Sequence, residues 1–362
     1  MKKRIFAVCD LEAAYAYNLM EYIYEKESGT FEVQAFTSVR NLAAFAGEQE
    51  IELLLISSSA MCDEVRKLPV KRIIILSEGE MLKELSEYPF VYKYQASDSL
   101  VSEVMNYYAE APSAEPVPLL KKQVELIGIY SPVKRTLRTS FALTLGQLLA
   151  KERHVLYINL ESYAGFSSLL GREYKADITD LIYFTREGSS QLIYRLGSIV
   201  QNLYGLDYVP PALCPEDLRS VAAEEWMEML EYLETYSAYD RIILDLDEQV
   251  NGLYDLLRQC SRIYMPVRED GMALAKLEQF ETALKIREYE DVLGKIRKLK
   301  LPFHSSFGHR ENYVEQLVWG ELGDFVRKLI REEEAGGNTG RTAGAVKGDP
   351  SGTDRQAGRN LR

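Results

Sequence analysis

The stretch VELIGIYSPVKRTLRTSFALTLGQLLA, residues 124–150, decides how this sequence is read. Its apolar start, Val124 to Tyr130, predicts a buried strand. Further on, Phe141, Ala142, Leu145, Leu148 and Leu149 recur on one helical face, so a helix over 139–151 packs on a sheet. A strand, a short polar loop and a helix in this order put a helix N-terminus where nucleotide-binding domains hold phosphate. Yet residues 130–150 contain no glycine before Gly146 and no Gly-Lys pair. The loop carries three cations instead, Lys134, Arg135 and Arg138.

Outward from this stretch the chain alternates strand-like and helix-like segments in both directions. Downstream strand candidates are 154–160, 206–210, 241–247 and 262–267, with helices that include 215–236 and 271–288 between them. Upstream, strands are expected at 4–10, 31–36, 51–57, 72–77 and 90–94, with helical patterns such as 11–26. Such alternation predicts parallel sheets covered by helices on both faces. The fold class is therefore α/β, with two doubly wound domains. APSAEPVP, residues 111–118, has three prolines and reads as an extended linker. The domains expected are 1–110 and 123–334, joined by a linker over 111–122. Residues 335–362 hold seven glycines and few apolar groups, and are expected to be disordered.

Composition narrows the function. The 362 residues carry a formal net charge of −12, which argues against a general nucleic-acid surface and leaves room only for a local basic patch. Cys9, Cys62, Cys214 and Cys260 are scattered and read as free thiols of a reducing cytosol. Asp10 and Glu12 interrupt the first apolar run too early for a signal peptide, and no run is long enough to span a membrane. Residues 311–334 form an amphipathic helix with a stripe from Val314 to Ile330, but carry seven acids and three bases. A helix that lies on anionic lipid has the opposite balance. Core packing is expected there.

Five strand-helix units with an acid ending the first strand resemble a response-regulator receiver, CheY-like, over about 110 residues. The resemblance implies a phosphoacceptor pocket of Asp10, Glu12, Ser57, Ser77 and Lys93. Ser57 stands at the acceptor position. Its neutral hydroxyl supplies neither an ionised nucleophile nor a metal ligand. The resemblance thus implies a docking module without phosphotransfer.

The second half, 124 to 332, resembles the ParA/MinD branch of P-loop ATPases. In that branch the loop has glycines, a lysine and two hydroxyl residues. Here Lys134, Arg135 and Leu137 fall on the glycine positions and Arg138 on the lysine, and Thr139 and Ser140 keep the hydroxyls. The family's additional signature lysine falls on Val133. YDRIILDLDE (239–248) is similar to the Walker B strand, with Asp245 at the metal-side acid. VLYINLESYAGF (155–166) is similar to the second strand and switch, with Glu161 at the water-positioning acid. The resemblance implies ATP and Mg²⁺ as cofactors, held by Lys134, Arg135, Thr136, Arg138, Thr139, Ser140, Glu161 and Asp245. Thr139 and Asp245 would take the metal. Side chains at the glycine positions are expected to disturb the phosphate cradle. An occupied nucleotide site and an empty one both remain open, and efficient hydrolysis is expected to be lost.

Together the two halves resemble the TadZ/CpaE family of Flp/Tad pilus and type II/IV secretion systems. That implies a cytoplasmic recruitment scaffold that forms a homodimer, docks pilus or secretion proteins, reaches the pole or inner membrane only indirectly and binds no nucleic acid. The dimer is expected to use Lys134 and Arg135 against acids such as Asp245, Asp247 or Glu248 of a second copy. The alternatives are an active ATP-dependent switch of the MinD/ParA type, or an adaptor that docks a kinase through its receiver-shaped domain.

Overall fold

The structure is a computed structural model that describes residues 4–27, 31–79, 85, 87–109, 124–186, 192–302 and 313–341. The expected linker at 111–122 lies outside them, as does the tail from 342 on.

The first sheet holds β1 (Arg4–Cys9), β2 (Phe31–Phe36), β3 (Ile51–Ser57), β4 (Val70–Ser77) and β5 (Phe90–Tyr92). They are all parallel, in the order β2-β1-β3-β4-β5, a doubly wound arrangement. Between them run α1 (Ala13–Glu27) and α2 (Val39–Glu48), and α3 (Ser97–Ala109) follows β5. Every residue of β3 is buried, as a central parallel strand covered on both faces requires. Alternate residues feed opposite cores. Phe6, Val8, Leu53 and Leu55 pack with Leu19, Ile23, Val104 and Met105 of α1 and α3. Ile5, Ala7, Leu54 and Ile56 pack with Leu42 and Ala46 of α2.

The second sheet begins with β6 (Glu125–Ile129), α4 (Arg138–Leu149), β7 (Val155–Leu160), α5 (Phe166–Leu170), α6 (Ile178–Arg186) and α7 (Leu192–Ile199). Then come β8 (Gln201–Leu203), β9 (Leu206–Val209), α8 (Pro215–Ser220), α9 (Ala223–Tyr236), β10 (Arg241–Leu246) and α10 (Leu253–Gln259). The chain continues through β11 (Arg262–Pro266), α11 (Gly271–Ile286), α12 (Glu290–Leu293), β12 (Ile296–Leu299), α13 (Tyr313–Trp319) and α14 (Glu321–Arg341). The strand order is β12-β11-β6-β10-β7-β9-β8, parallel except for the β8/β9 pair.

The elements depart from the sequence expectation in several places. β8 and β12 are three and four residues long, too short to show a period. The helix expected over 215–236 breaks at Val221 and Ala222, whose backbones are extended. The last helix runs on to Arg341, seven residues into the segment expected to be disordered.

The helix expected over 311–334 is broken at Gly320 into α13 and α14, and the stripe from Val314 to Leu329 does face the core. Val314, Leu317, Val318, Leu322, Val326 and Leu329 pack with Phe141, Leu145, Leu148 and Tyr264 on the α4 face of the sheet. The other face carries α6, α7, α9, α10 and α11 over Leu156, Ile158, Ile242, Leu244 and Ile263. Gly146 lets α4 approach the sheet closely, since a Cβ there would stand 2.6 Å from Leu206 Cδ2. Among the described residues no helix is long and apolar enough to cross a membrane.

Candidate functional site

The loop from Ser131 to Leu137 leaves β6 at its carboxyl end, in the middle of the sheet, where doubly wound folds place their ligands. The buried Ser131 accepts the Val133 N–H at 3.1 Å, and Thr136 Oγ1 donates to the Val133 carbonyl at 3.4 Å. These bonds fold the loop on itself. Thr136 is thus engaged by the loop's own backbone.

Two residues at the positions expected of glycine nevertheless keep a glycine-like backbone. Arg135 has φ of 59° and Leu137 of 60°. A left-handed conformation costs a residue with a Cβ roughly 1–2 kcal/mol. The expected disturbance of the cradle is therefore not a change of handedness at these two positions. It comes from the side chains and from what they touch.

Period-2 alternation puts Tyr157, Asn159 and Asp245 on the α4 side of the sheet, beneath the first turn of that helix. Arg138 opens α4 and turns into this space, with its side chain only 7% exposed. Its Nε lies 2.7 Å from Asp245 Oδ1, and its other end pairs with Glu161. Thr139 Oγ1 donates to Glu161 Oε2 at 2.6 Å. The second Asp245 oxygen accepts from Tyr157 OH at 3.0 Å and from Asn159 Nδ2 at 3.3 Å. Asn159 Oδ1 in turn accepts the Glu161 N–H at 2.9 Å. Complete burial pushes the Asp245 carboxyl up to about 6, against the pull of the Arg138 guanidinium.

A second ion pair closes the loop's outer edge. Lys134 Nζ lies 2.5 Å from Asp247 Oδ1 and 2.8 Å from Glu248 Oε2. Ser162 Oγ donates to the other Asp247 oxygen at 3.0 Å. Burial opposes ionisation of Asp247, but the side-chain bonds with Lys134, Glu248 and Ser162 hold its carboxyl well below the usual carboxylate range. Lys134 was expected to meet such acids on a second copy. The structure pairs it with them inside one chain. Arg135 is exposed and has no ion pair among the described residues.

The arrangement does not fit a metal-nucleotide complex. Of the two metal-side residues, Asp245 is held by Arg138, Tyr157 and Asn159, and Thr139 is held by Glu161. Ser140 turns away to Tyr313 OH at 2.6 Å, which ties α4 to α13. Cations of the protein already neutralise the acids that a divalent ion would meet. Above them remains a cleft of about 520 Å³ lined by residues 133–140, Glu161 and Arg268. The sequence reading missed Tyr157, Asn159, Ser162 and Arg268. The alternation of Tyr157 and Asn159 along β7, with Glu161 just past its end, was the signal for the first two.

In the first sheet, the five expected pocket residues gather at the carboxyl edge. Lys93 Nζ lies 2.9 Å from Asp10 Oδ2, 3.2 Å from Glu12 and 3.4 Å from Glu78. The Lys93 and Asp10 side chains are each 2% exposed. Burial lowers the Lys93 pKa and its acidic partners raise it, with a net rise. Asp10 Oδ1 accepts the Glu12 N–H at 2.9 Å, a turn ahead of α1. Ser57 is fully buried at the end of β3, its Oγ 3.2 Å from Ser59 Oγ. Ser77 Oγ accepts the Gly79 N–H at 3.2 Å. The ammonium group fills the acidic corner, and no carboxylate stands at position 57.

No family model matches the sequence, and no curated protein matches it. Solved structures do. A ParA family ATPase from Chlorobium tepidum covers 56% of this chain and 96% of its own, with 16% identity and a TM-score of 0.44. A plasmid partition protein from Borrelia burgdorferi, bound to AMPPNP, covers 57% and 100%, with 18% identity and a TM-score of 0.41. Cobyrinic acid a,c-diamide synthase from Mycobacterium smegmatis, with a bound ATP analog and magnesium, covers 59% and 97%, with 13% identity and a TM-score of 0.42.

Proposed function

We propose that this chain is a non-catalytic recruitment scaffold of the TadZ/CpaE kind, serving Flp/Tad pilus or type II/IV secretion assembly. One observation carries the reading. The cations of the degenerate loop are ion-paired with the acids at the metal-side and switch positions, Arg138 with Asp245 and Glu161 and Lys134 with Asp247. Hydrolysis needs a metal, a positioned water and charge stabilisation that builds up in the transition state. Here the same groups are spent on a fixed ground-state network.

The receiver-shaped unit fits the same role. Its acidic corner is closed by Lys93, and Ser57 offers no ionised acceptor. Both units then act as surfaces. The chain forms a homodimer through protein contacts that do not wait for nucleotide, and reaches the membrane only through partners. The test is localisation in cells that carry the assembly system. A fluorescent fusion forms a focus at the assembly site, and Asp245→Asn leaves that focus in place. A fusion that stays diffuse, or a focus that Asp245→Asn disperses, overturns the reading.

A further inference from the structure

Outside the buried pair of Asp10 and Lys93, the carboxyl edge of the first sheet presents a patch of aromatic rings to solvent. Tyr92 closes β5 and Tyr94 follows it, with their rings edge to face at 5.9 Å. Leu11 stands between Asp10 and Glu12 on the way into α1. Leu11, Tyr92 and Tyr94 are 55%, 47% and 58% exposed. Contacts from beneath hold the patch in place. Tyr15 OH donates to the Lys93 carbonyl at 3.0 Å. The Lys93 ammonium stands 4.6 Å from the centre of the Tyr15 ring and 5.6 Å from that of Tyr94. Gly79 lies against the Tyr92 ring, since a Cβ there would stand 3.8 Å from Tyr92 Cε2. Rings fixed in this way lose little freedom when a partner covers them. Exposed apolar groups gathered in one place mark a contact surface, and tyrosine is a favoured anchor in such surfaces.

The charge of the patch decides which partner fits. Three carboxylates, Asp10, Glu12 and Glu78, share the single Lys93 ammonium, and among the described residues they have no other ion pair. Three negative charges against one positive leave a surplus of two. Asp10 is buried on Lys93, whereas the Glu12 and Glu78 side chains are 61% and 49% exposed. The surplus therefore sits at the surface, beside the faces of Tyr92 and Tyr94. Carboxylates that border tyrosine rings complement a guanidinium, which donates paired bonds to the acid and stacks on the ring.

We propose that this patch docks an arginine-bearing segment of a partner protein. A guanidinium lies over Tyr92 or Tyr94 against Glu12 and Glu78, and an apolar neighbour of that arginine covers Leu11. The Asp10–Lys93 pair forms the floor and stays as it is. The inference rests on the docking role proposed for the first unit and adds the chemistry of what it docks.

The test uses the full chain and fluorescence anisotropy with a labelled peptide, Gly-Arg-Leu-Gly-Arg-Leu-Gly, against the same peptide with Glu for each Arg. The arginine peptide binds saturably and the glutamate peptide does not. Tyr92→Ser/Tyr94→Ser leaves every charge in place and weakens binding about fivefold or more. Glu12→Gln/Glu78→Gln removes the surplus and weakens it by about as much. Glu228→Gln, an exposed acid on α9, leaves binding unchanged, which separates the patch from the general attraction of a chain with net charge −12. Hydrogen exchange shows new protection at 10–17 and 90–95. Absence of saturable binding, equal binding of both peptides, or binding indifferent to the tyrosine pair overturns the proposal. So does a dimer of the free chain that the tyrosine variant splits, because the patch then belongs to a second copy. The focus in cells reads the scaffold role separately. Peptide binding without a focus removes the scaffold and keeps the site; a focus without peptide binding removes the site and keeps the scaffold.

Discussion

Replacing Arg138 by methionine keeps much of the side-chain length and removes the guanidinium that sits on Asp245 and Glu161. The cost depends on pH in a way the site fixes. Asp245 is fully buried, and its carboxyl titrates near 6 with Arg138 present. An unfolded aspartate titrates near 3.9. The folded value is the higher one, so the native state holds the proton more tightly. Asp245 therefore favours the fold fully below about pH 4, and that contribution is lost as pH rises through 6. In the variant the carboxylate has lost its cation, and its folded pKa moves further up. The loss then continues above pH 6 at about 1.4 kcal/mol per pH unit. Below pH 5 both proteins carry a neutral Asp245, and the variant lacks only its bonds to Glu161. By pH 8 the deficit reaches about 3–5 kcal/mol, the range for breaking a buried ion pair. Urea denaturation at pH 5, 6, 7 and 8 measures it, and the double variant Arg138→Met/Asp245→Asn removes the pH dependence. A deficit that is flat from pH 5 to 8, or a variant more stable than the parent at pH 8, refutes the reasoning.

Acetyl phosphate leaves no label on the first unit, and Ser57→Ala changes nothing; stable incorporation lost in that variant contradicts the closed pocket. Arg135→Gly relieves a left-handed residue that has no ion pair among the described residues, and raises stability by about 1 kcal/mol in urea titrations; a loss of stability counts against the strained loop. Lys93→Met strands the buried Asp10 carboxylate and lowers stability by about 3–5 kcal/mol, read by thermal or urea unfolding at neutral pH. A change below 1 kcal/mol there means that the corner is wetter than the structure shows.

The long strands were legible because they are continuous apolar runs between polar turns. β3 is buried at every residue, and IELLLIS says so directly. Residues that meet at the loop were legible too, because an acid at or just past a strand end, as at Asp245 and Glu161, marks the edge where a doubly wound sheet binds. The direction of the loop cations was not. Sequence places Lys134 near Asp247 and Glu248 without telling whether the pairing is within one chain or between two; the register of β6 beside β10 decides it. Nor could spacing show that Ser140 faces Tyr313, since that contact needs α13 folded back over α4. The hydrogen bond from Arg195 to Asn106 joins residues 89 apart, with no local signal in either segment.

Calorimetric titration of the full chain with ATP and Mg²⁺ tests the central claim most directly. The acids at 245 and 247 are already paired with Arg138 and Lys134, so no saturable, magnesium-dependent heat is expected, and the same flat trace is expected with EDTA. Saturable binding that requires Mg²⁺ and is abolished by Asp245→Asn contradicts the account, because it means that the nucleotide and its metal displace the ion pairs on which the scaffold reading rests.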